Sequence, residues 1–195
     1  NKLTYMNLGI LYGLNLEEVN CSNNKITNIV MDSVGELVKF DCSNNDLMTL
    51  DVSQCLKLEE LNCSGNQLME LDVGHQTQLT QLDCSNNKLT ELNVKQNGSL
   101  TSLICNDNQL TTLDLSHNHS LSKLNCAKNR LACLDVTGIS GGTITANGNR
   151  RPIAVRTDGK FDLTTLSGFN VGKATNWNGG SVSGTILTVE DGKDE

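Results

Sequence analysis

The fold of this chain is decided by the stretch Leu58-Glu59-Glu60-Leu61-Asn62-Cys63-Ser64-Gly65-Asn66-Gln67-Leu68-Met69-Glu70-Leu71-Asp72-Val73. Its pattern, L-x-x-L-x-C-x-x-N-x-L-x-x-L-x-V, returns every 21 residues from residue 16 to residue 136, in six copies. A fixed period of this length is the sequence signature of a fold in which one unit is stacked on itself. The repeat therefore predicts a solenoid.

Seven positions of the repeat are conserved in type through all six copies, and five of them hold only large apolar residues. The other two hold cysteine and asparagine. The cysteines are Cys21, Cys42, Cys63, Cys84, Cys105 and Cys126, and the asparagines are Asn24, Asn45, Asn66, Asn87, Asn108 and Asn129. We expect all seven columns to point into one continuous core, because a lone repeat cannot bury its apolar side without neighbours.

Each half of the repeat has its own local structure. In L-x-x-L-x-C the last two named residues are two apart, which places them on one side of a short strand. An asparagine amide both donates and accepts hydrogen bonds, so the Asn column is predicted to satisfy backbone groups where the chain leaves the sheet. The second half shows the same alternation and no helical period, which predicts extended or 3₁₀ structure and no long helix.

These residues resemble the leucine-rich-repeat family, specifically the bacterial class in which one repeat contains two similar halves, here residues 58–67 and 68–78. Internalin-like proteins of the bacterial cell surface are of this kind. The resemblance implies a right-handed coil whose concave parallel sheet binds ligands.

The repeat pattern divides the chain into four segments. Residues 1–15 fit part of an earlier repeat, 16–138 hold six repeats, 139–152 form a degenerate repeat around Ile144, Ala146 and Asn149, and 153–195 are predicted to be a β-rich C-terminal cap. Stretches such as Phe161-Asp162-Leu163, Gly168-Phe169 and Asn176-Trp177-Asn178-Gly179-Gly180 resemble the segment that follows such repeats in bacterial surface proteins.

Composition and charge narrow the classes of partner. The formal net charge of -7 argues against nucleic acid, which is bound through many Lys and Arg side chains. No apolar run approaches the roughly 18 residues needed to cross a bilayer, so no membrane insertion is expected. Residues 1–13 lack the basic start and apolar centre of a signal peptide.

The eight cysteines are interpreted as structural. The six ladder residues are predicted to be free buried thiols, although a spacing of about 4.8 Å does not by itself exclude disulfides between coils. Cys55 and Cys133 lie outside the ladder and too far apart to bridge each other. Zinc is not expected, because C-x-x-C pairs are absent and no histidine shares the cysteine column.

No catalytic set is visible among the remaining reactive residues. His75, His117 and His119 are interpreted as solvated surface residues, and no serine is placed with a histidine and an acid. The outer column Asp51, Asp72, Asn93, Asp114 and Asp135 is predicted to cap turns, with calcium binding as the alternative. We expect no cofactor, no metal and no enzyme activity.

The exposed residues of the predicted strands are the candidates for binding. One column reads Asn20, Asp41, Asn62, Asp83, Ile104 and Asn125, so Ile104 is an apolar residue in an otherwise polar row. An apolar side chain in such a setting is a candidate anchor. The predicted site consists of Gln81, Asp83, Ile104, Asn106, Asp107, Lys123 and Asn125. The alternative is that these residues form only a solvated polar sheet.

Two functions follow from these observations. The first is a non-catalytic module of a secreted or surface-attached, adhesin-like bacterial protein that is located outside the cell. This module would bind a protein or glycan, including one of a host, on its concave face. The second is a structural spacer that displays other domains. The first rests on resemblance of fold, which by itself does not define a site.

Overall fold

The structure, a computed structural model, describes residues 1–11, 14–32, 34–139 and 142–149, and the backbone of residues 153–157 and 185–189. This part of the chain contains strands and turns and no helix, so it has no helix long and apolar enough to cross a membrane. The strands are β1 (Tyr5–Asn7), β2 (Glu18–Asn20), β3 (Asn28–Val30), β4 (Lys39–Asp41), β5 (Glu60–Asn62), β6 (Gln81–Asp83), β7 (Ser102–Ile104), β8 (Lys123–Asn125), β9 (Cys133–Asp135), β10 (Thr143–Thr145), β11 (Ile153–Thr157) and β12 (Thr185–Val189).

One parallel sheet runs along the stack. Its seven strands are ordered β10-β8-β7-β6-β5-β4-β2. From β2 to β8 each residue pairs with the residue 21 positions later, as Leu61 does with Leu82 and Leu82 with Leu103. The register follows from the repeat, since a slip of one residue would turn every apolar side chain to the solvent. The chain is therefore a solenoid with a parallel sheet, as predicted.

The seven predicted inward columns form the core. Four of their members are only half-buried, namely Leu16, Val19, Asn24 and Leu50, and the others are buried. The first three belong to the coil of β2, which is an edge strand with a neighbour on one side only. Burial is incomplete there because a coil needs a neighbour on both sides to cover its apolar groups.

The asparagine column closes the first half of each coil, as predicted. The Nδ2 of Asn45 donates to the carbonyl oxygens of Cys42 at 3.0 Å and of Cys21, one coil earlier, at 3.1 Å. Its Oδ1 accepts the backbone N–H of Ile26 at 2.9 Å. The amide thus satisfies backbone groups of two coils at once, which explains why asparagine and not serine or aspartate fills the column.

The second half of each coil is extended and then turns tightly. Strands form here near the two ends of the stack, where β1 pairs with β3 and β9 with β11, and a single parallel bridge joins Asp72 to Asn93. Two consecutive turns follow, each closed by a hydrogen bond between residues three positions apart. In one coil the Cys55 N–H donates to the Val52 oxygen and the Leu58 N–H donates to the Cys55 oxygen. The prediction of extended structure without long helices is confirmed for the described residues.

The coil after the sixth repeat is one residue shorter. Strand β10 pairs with β8 so that Thr143 faces Lys123, and the Oδ1 of Asn149 accepts the Leu131 N–H at 3.0 Å. Strand β11 joins β9 in parallel and β12 in antiparallel orientation. The C-terminal stretches singled out from the sequence, residues 161–163, 168–169 and 176–180, lie outside the described residues, and the segment boundaries at 15, 138 and 152 stay predictions.

Candidate binding face

A shallow groove of about 620 Å³ runs across the exposed face of the main sheet. We call this surface the sheet groove. Its lining consists of Glu18, Val19, Asn20, Lys39, Phe40, Asp41, Glu60, Leu61, Asn62, Gln81, Leu82, Asp83, Ser102, Ile104 and Lys123. The groove crosses six strands, so a ligand lying in it would contact side chains that the sequence separates by up to 105 residues.

All five polar residues of the Asn/Asp column have a structural role. The side-chain oxygen of Asp83 accepts the backbone N–H of Ser85 at 3.0 Å, two residues further on. The same turn is closed by Asn20, Asp41, Asn62 and Asn125. This is an Asx turn, in which Asn or Asp replaces a backbone acceptor where the strand ends. The polar character of this column therefore has a purely structural cause.

Ile104 is the exception in that column. It ends β7 at the position where the other coils place an Asx residue, and its side chain has no acceptor for the N–H of Asn106. The side chain is half-buried and lines the sheet groove. Ile104 thus gives up a local hydrogen bond and exposes apolar surface at the same point.

The charges of the sheet groove are unevenly distributed. The Nζ of Lys39 lies 3.0 Å from Glu60 and 3.9 Å from Glu18, which raises the pKa of this lysine through the hydrogen bond and the charge of Glu60. Lys123 is exposed and makes no ion pair with any described residue. The groove therefore presents a neutralised cation at one end and an unneutralised one at the other.

Three of the predicted site residues form a hydrogen-bonded cluster beside Ile104. The Nδ2 of Asn125 donates to Oδ1 of Asn106 at 2.8 Å, and the Nδ2 of Asn106 donates to Oδ2 of Asp107 at 2.7 Å. Lys128, which the sequence analysis did not select, lies 3.2 Å from Oδ1 of Asp107. Asp107 and Lys128 both have a positive φ, at a position where the other coils have Asn or Gly.

The structure brings the predicted site residues into two adjoining groups. Gln81, Asp83, Ile104 and Lys123 line the sheet groove together with Ser102, which the sequence analysis left out. The remaining members, Asn106, Asp107 and Asn125, belong to the hydrogen-bonded cluster at the ends of β7 and β8. Ser102 could have been found from its column, which also contains Gln81 and Lys123. The 21-residue spacing places Lys128 next to Asp107 on the neighbouring coil, but it does not show that the two side chains pair.

The outer acidic column caps turns, as predicted. Its side-chain oxygens accept backbone N–H groups two residues further on at 2.8 to 3.2 Å, in Asp51, Asp72, Asn93, Asp114 and Asp135. The hydroxyl and N–H of Ser116, together with Lys95, hold the pKa of Asp114 well below its usual range. Within the described residues no three His, Cys, Asp or Glu side chains are grouped so as to hold a metal ion.

The ladder cysteines are free and buried, which confirms their interpretation as structural thiols. Burial raises the pKa of the Cys126 thiol to about 12, and raises those of Cys42, Cys63, Cys84 and Cys105 well above the ordinary value. These groups remain protonated at neutral pH and are poor nucleophiles. Cys55 is also buried, whereas Cys133 is exposed.

The histidines lie on the surface. His75, His117 and His119 are all exposed. The Nδ1 of His117 lies 3.0 Å from the Oγ of Ser116, but both residues are exposed and neither lines the sheet groove. A nucleophile and base need an enclosed position against a substrate, which this pair does not have.

An eighth inward column was missed by the sequence analysis. It comprises Val34, Cys55, Gln76, Asn97, Asn118 and Ile139, all buried. The Nδ2 of Asn97 donates to the carbonyl oxygens of Val73 and Gln76, at 2.9 and 2.8 Å. The amide oxygens of Gln76, Asn97 and Asn118 have no hydrogen-bond partner. Only the 21-residue spacing connects these residues, because their chemical types differ.

Comparison with known proteins places the fold among leucine-rich repeats. The family model described as Leucine Rich Repeat matches residues 15–37, and no curated protein gives a significant match to the sequence. Among solved structures, the functional domain of InlJ from Listeria monocytogenes, whose description includes a cysteine ladder, is 36% identical with a TM-score of 0.57, over 75% of this chain and 40% of that one.

Two further structures support the fold alone. A leucine-rich-repeat protein of Leptospira interrogans is 20% identical with a TM-score of 0.64, over 76% of this chain and 43% of that one. The leucine-rich-repeat domain of APL1B is 24% identical with a TM-score of 0.68, over 77% of this chain and 49% of that one. The chain therefore spans less than half of the length of each of these three proteins.

Proposed function

We propose, from the premise that this chain is a leucine-rich-repeat solenoid similar to bacterial internalin-like proteins, that it is a non-catalytic module that binds another macromolecule in the sheet groove. The proposal includes a location outside the cell, secreted or attached to the surface, in line with the similarity to InlJ. The binding residues are Gln81, Asp83, Ile104, Asn106, Asp107, Lys123 and Asn125.

The observation that carries this proposal is the break in the Asx-turn column at Ile104. Five coils place Asn or Asp there and use it to close the turn after the strand. A residue selected for stability would do the same at Ile104, since an unclosed turn leaves a backbone N–H without its usual acceptor. Positions where a chain departs from its own structural rule are the positions expected to serve function.

The surroundings of Ile104 support the same conclusion. Asn106 takes the place of the serine found in the four preceding coils, and Asp107 adopts a φ of 54 where the four preceding coils have Asn or Gly. Asp in a left-handed conformation is less favourable than Gly. The departures from the repeat thus concentrate at the ends of β7 and β8, beside the groove.

The alternative function is a spacer that displays other domains. It is favoured by the coils of β2, β4 and β5, whose Asn and Asp residues in this column all close Asx turns. In those coils the polar surface needs no ligand to explain it. A spacer does not explain Ile104.

The test replaces Ile104 with the asparagine that closes the Asx turn in other coils. The whole chain is screened against arrays of extracellular host proteins and of glycans, and the dissociation constant of any captured partner is measured for the chain and for Ile104→Asn. We expect binding to weaken at least tenfold, about 1.4 kcal/mol, while stability stays the same or rises. The matched control is Asn93→Ile, the reverse change at an Asx turn that lies outside the sheet groove, which should leave binding within twofold.

Two results would contradict the proposal. A dissociation constant that is the same for Ile104→Asn and the unchanged chain removes Ile104 from the site. Failure to capture any partner on either array favours the spacer.

A further inference from the structure

We propose that the occupant of the sheet groove is an extended protein segment that presents an acidic residue over Lys123 and an aliphatic residue over Ile104, with any basic residues directed toward Glu60 and Glu18. This inference rests on the proposed binding function of the same face. It adds the chemistry of the partner and the direction in which the partner lies.

The first step is the charge of the groove. Strands β2, β4 and β5 contribute the carboxylates of Glu18, Asp41 and Glu60 and the single ammonium of Lys39, which is held between the two glutamates. Strands β6 to β8 contribute only Asp83 and Lys123. The first half is therefore anionic, and it repels acidic groups and attracts basic ones.

The second step is the state of Lys123. Its side chain is exposed, it has no ion pair with a described residue, and the residues paired with it on both sides, Ser102 and Thr143, are uncharged. A lysine without a neighbour of opposite charge gains a new interaction from a ligand carboxylate, whereas Lys39 would have to exchange one partner for another. Acidic groups of a ligand are thus expected at Lys123.

The third step is the distance between the two anchors. Lys123 faces Ser102 on the neighbouring strand, and Ile104 lies two residues beyond Ser102 on the same face. With about 4.8 Å between strands and about 3.3 Å per residue, the Cα atoms of Lys123 and Ile104 are about 8 Å apart. An extended peptide places residues i and i+2 about 7 Å apart on one side. The two ligand residues are therefore expected two positions apart.

The fourth step distinguishes a protein segment from a glycan. The only aromatic residue that lines the groove is Phe40, which is 2% exposed, so no aromatic face is open to a sugar ring. Ile104 instead offers an aliphatic surface, which is best covered by an aliphatic side chain. A sialylated or sulfated glycan supplies an anion for Lys123 but no aliphatic group for Ile104.

The experiment selects ligands without prior assumption about sequence. The whole chain is used to select from a displayed library of random 12-residue peptides, and the recovered peptides are sequenced. We expect Asp or Glu two positions from Leu, Ile or Val to be enriched at least fivefold, with Lys or Arg toward one end. In a second arm the chain is tested on sialylated and sulfated glycans, on which we expect no binding.

Charge reversal tests the role of Lys123 directly. Selection on Lys123→Glu should replace the acidic residue of the recovered pattern with Lys or Arg. The matched control is Lys88→Glu, because Lys88 is also exposed but contacts Gln67 outside the groove. This control should recover the same acidic pattern as the unchanged chain.

The outcomes separate this inference from the proposed function. If Ile104→Asn abolishes peptide binding but the selected charge is unaffected by Lys123→Glu, the groove binds ligands and only this inference is wrong. Binding to glycans without selection of peptides also overturns this inference alone. Capture of a folded protein on the array without selection of any peptide likewise overturns this inference alone. If no peptide, no glycan and no protein on the array is bound, both proposals are wrong.

Discussion

At the scale of single residues, one asparagine amide per coil satisfies buried backbone groups that an apolar side chain of similar size could not. The Nδ2 of Asn87 donates to the carbonyl oxygens of Cys63, Cys84 and Ser85 at 3.0 to 3.2 Å. Its Oδ1 accepts the N–H of Leu68 at 3.0 Å. All of these groups lie where the chain leaves the sheet, and buried backbone groups without partners are costly.

We expect Asn87→Ala to lower the free energy of unfolding by about 2 to 5 kcal/mol, because several buried backbone groups lose their only side-chain partner. Urea denaturation followed by circular dichroism measures this change. Asn86→Gly is the control, since Asn86 is exposed with a φ of 53 and Gly65 holds the same position one coil earlier. The control should change stability by less than about 0.5 kcal/mol. Equal losses in both variants would contradict the role assigned to Asn87.

At the scale of elements, the two turns of a coil differ in how fully the hydrogen-bonding groups of their side-chain amide are satisfied. The first turn uses an asparagine whose donors and acceptor are all satisfied. In the second turn Asn97 donates to the carbonyls of Val73 and Gln76, but its Oδ1 has no partner. The same position holds Val34 and Ile139 in other coils, so an amide is not essential to the turn.

We therefore expect Asn97→Ala to cost less than Asn87→Ala, about 1 to 3 kcal/mol, because the substitution removes an unsatisfied buried oxygen together with two hydrogen bonds. The two variants are compared in the same urea titration. A loss for Asn97→Ala as large as that for Asn87→Ala would show that the oxygen of Asn97 does have a partner in solution.

At the scale of the whole molecule, the ladder thiols make the stability of the stack depend on pH. Burial raises their pKa in the folded chain, to about 11 for Cys21 and about 12 for Cys126, from an ordinary value of 9.0. The neutral thiol is the form that the core accepts. Since the unfolded chain releases these protons first, stability is fully present below about pH 9 and is lost as pH rises through the folded values.

We expect the free energy of unfolding to fall between about pH 9 and pH 11, with each buried thiol contributing up to about 1.4 kcal/mol per pH unit. Urea midpoints measured at several pH values in this range test the slope. Cys84→Ala should reduce the slope by about one thiol's share, and Cys133→Ser, which changes an exposed residue, should leave it unchanged. The result would be contradicted if both substitutions gave the slope of the unchanged chain.

The sequence by itself was sufficient for the solenoid, the seven inward columns and the Asn turn, and it favoured free thiols over disulfides. These features share one cause: every coil meets the same neighbours, so each requirement of the stack reappears after 21 residues and is visible as a column. Cys63, for example, needs the same small apolar space as Cys42 and Cys84. The position of Ile104 as an exception was visible for the same reason.

Only the tertiary structure decided which solvent-facing side chains already make hydrogen bonds or ion pairs within the protein and which do not. The Asx turns of Asp83 and Asn125 depend on how each side chain is oriented within its own coil. The pairing of Lys128 with Asp107 and the neutralisation of Lys39 depend on which side chains of neighbouring coils come within bonding distance. The inward position of one further column was also decided only by the tertiary structure, because that column mixes apolar and amide side chains, namely Val34, Cys55, Gln76, Asn97, Asn118 and Ile139. Hydrogen bonds and ion pairs between coils depend on atoms within about 3 Å of each other, and a repeat pattern records spacing along the chain but not that closeness in space.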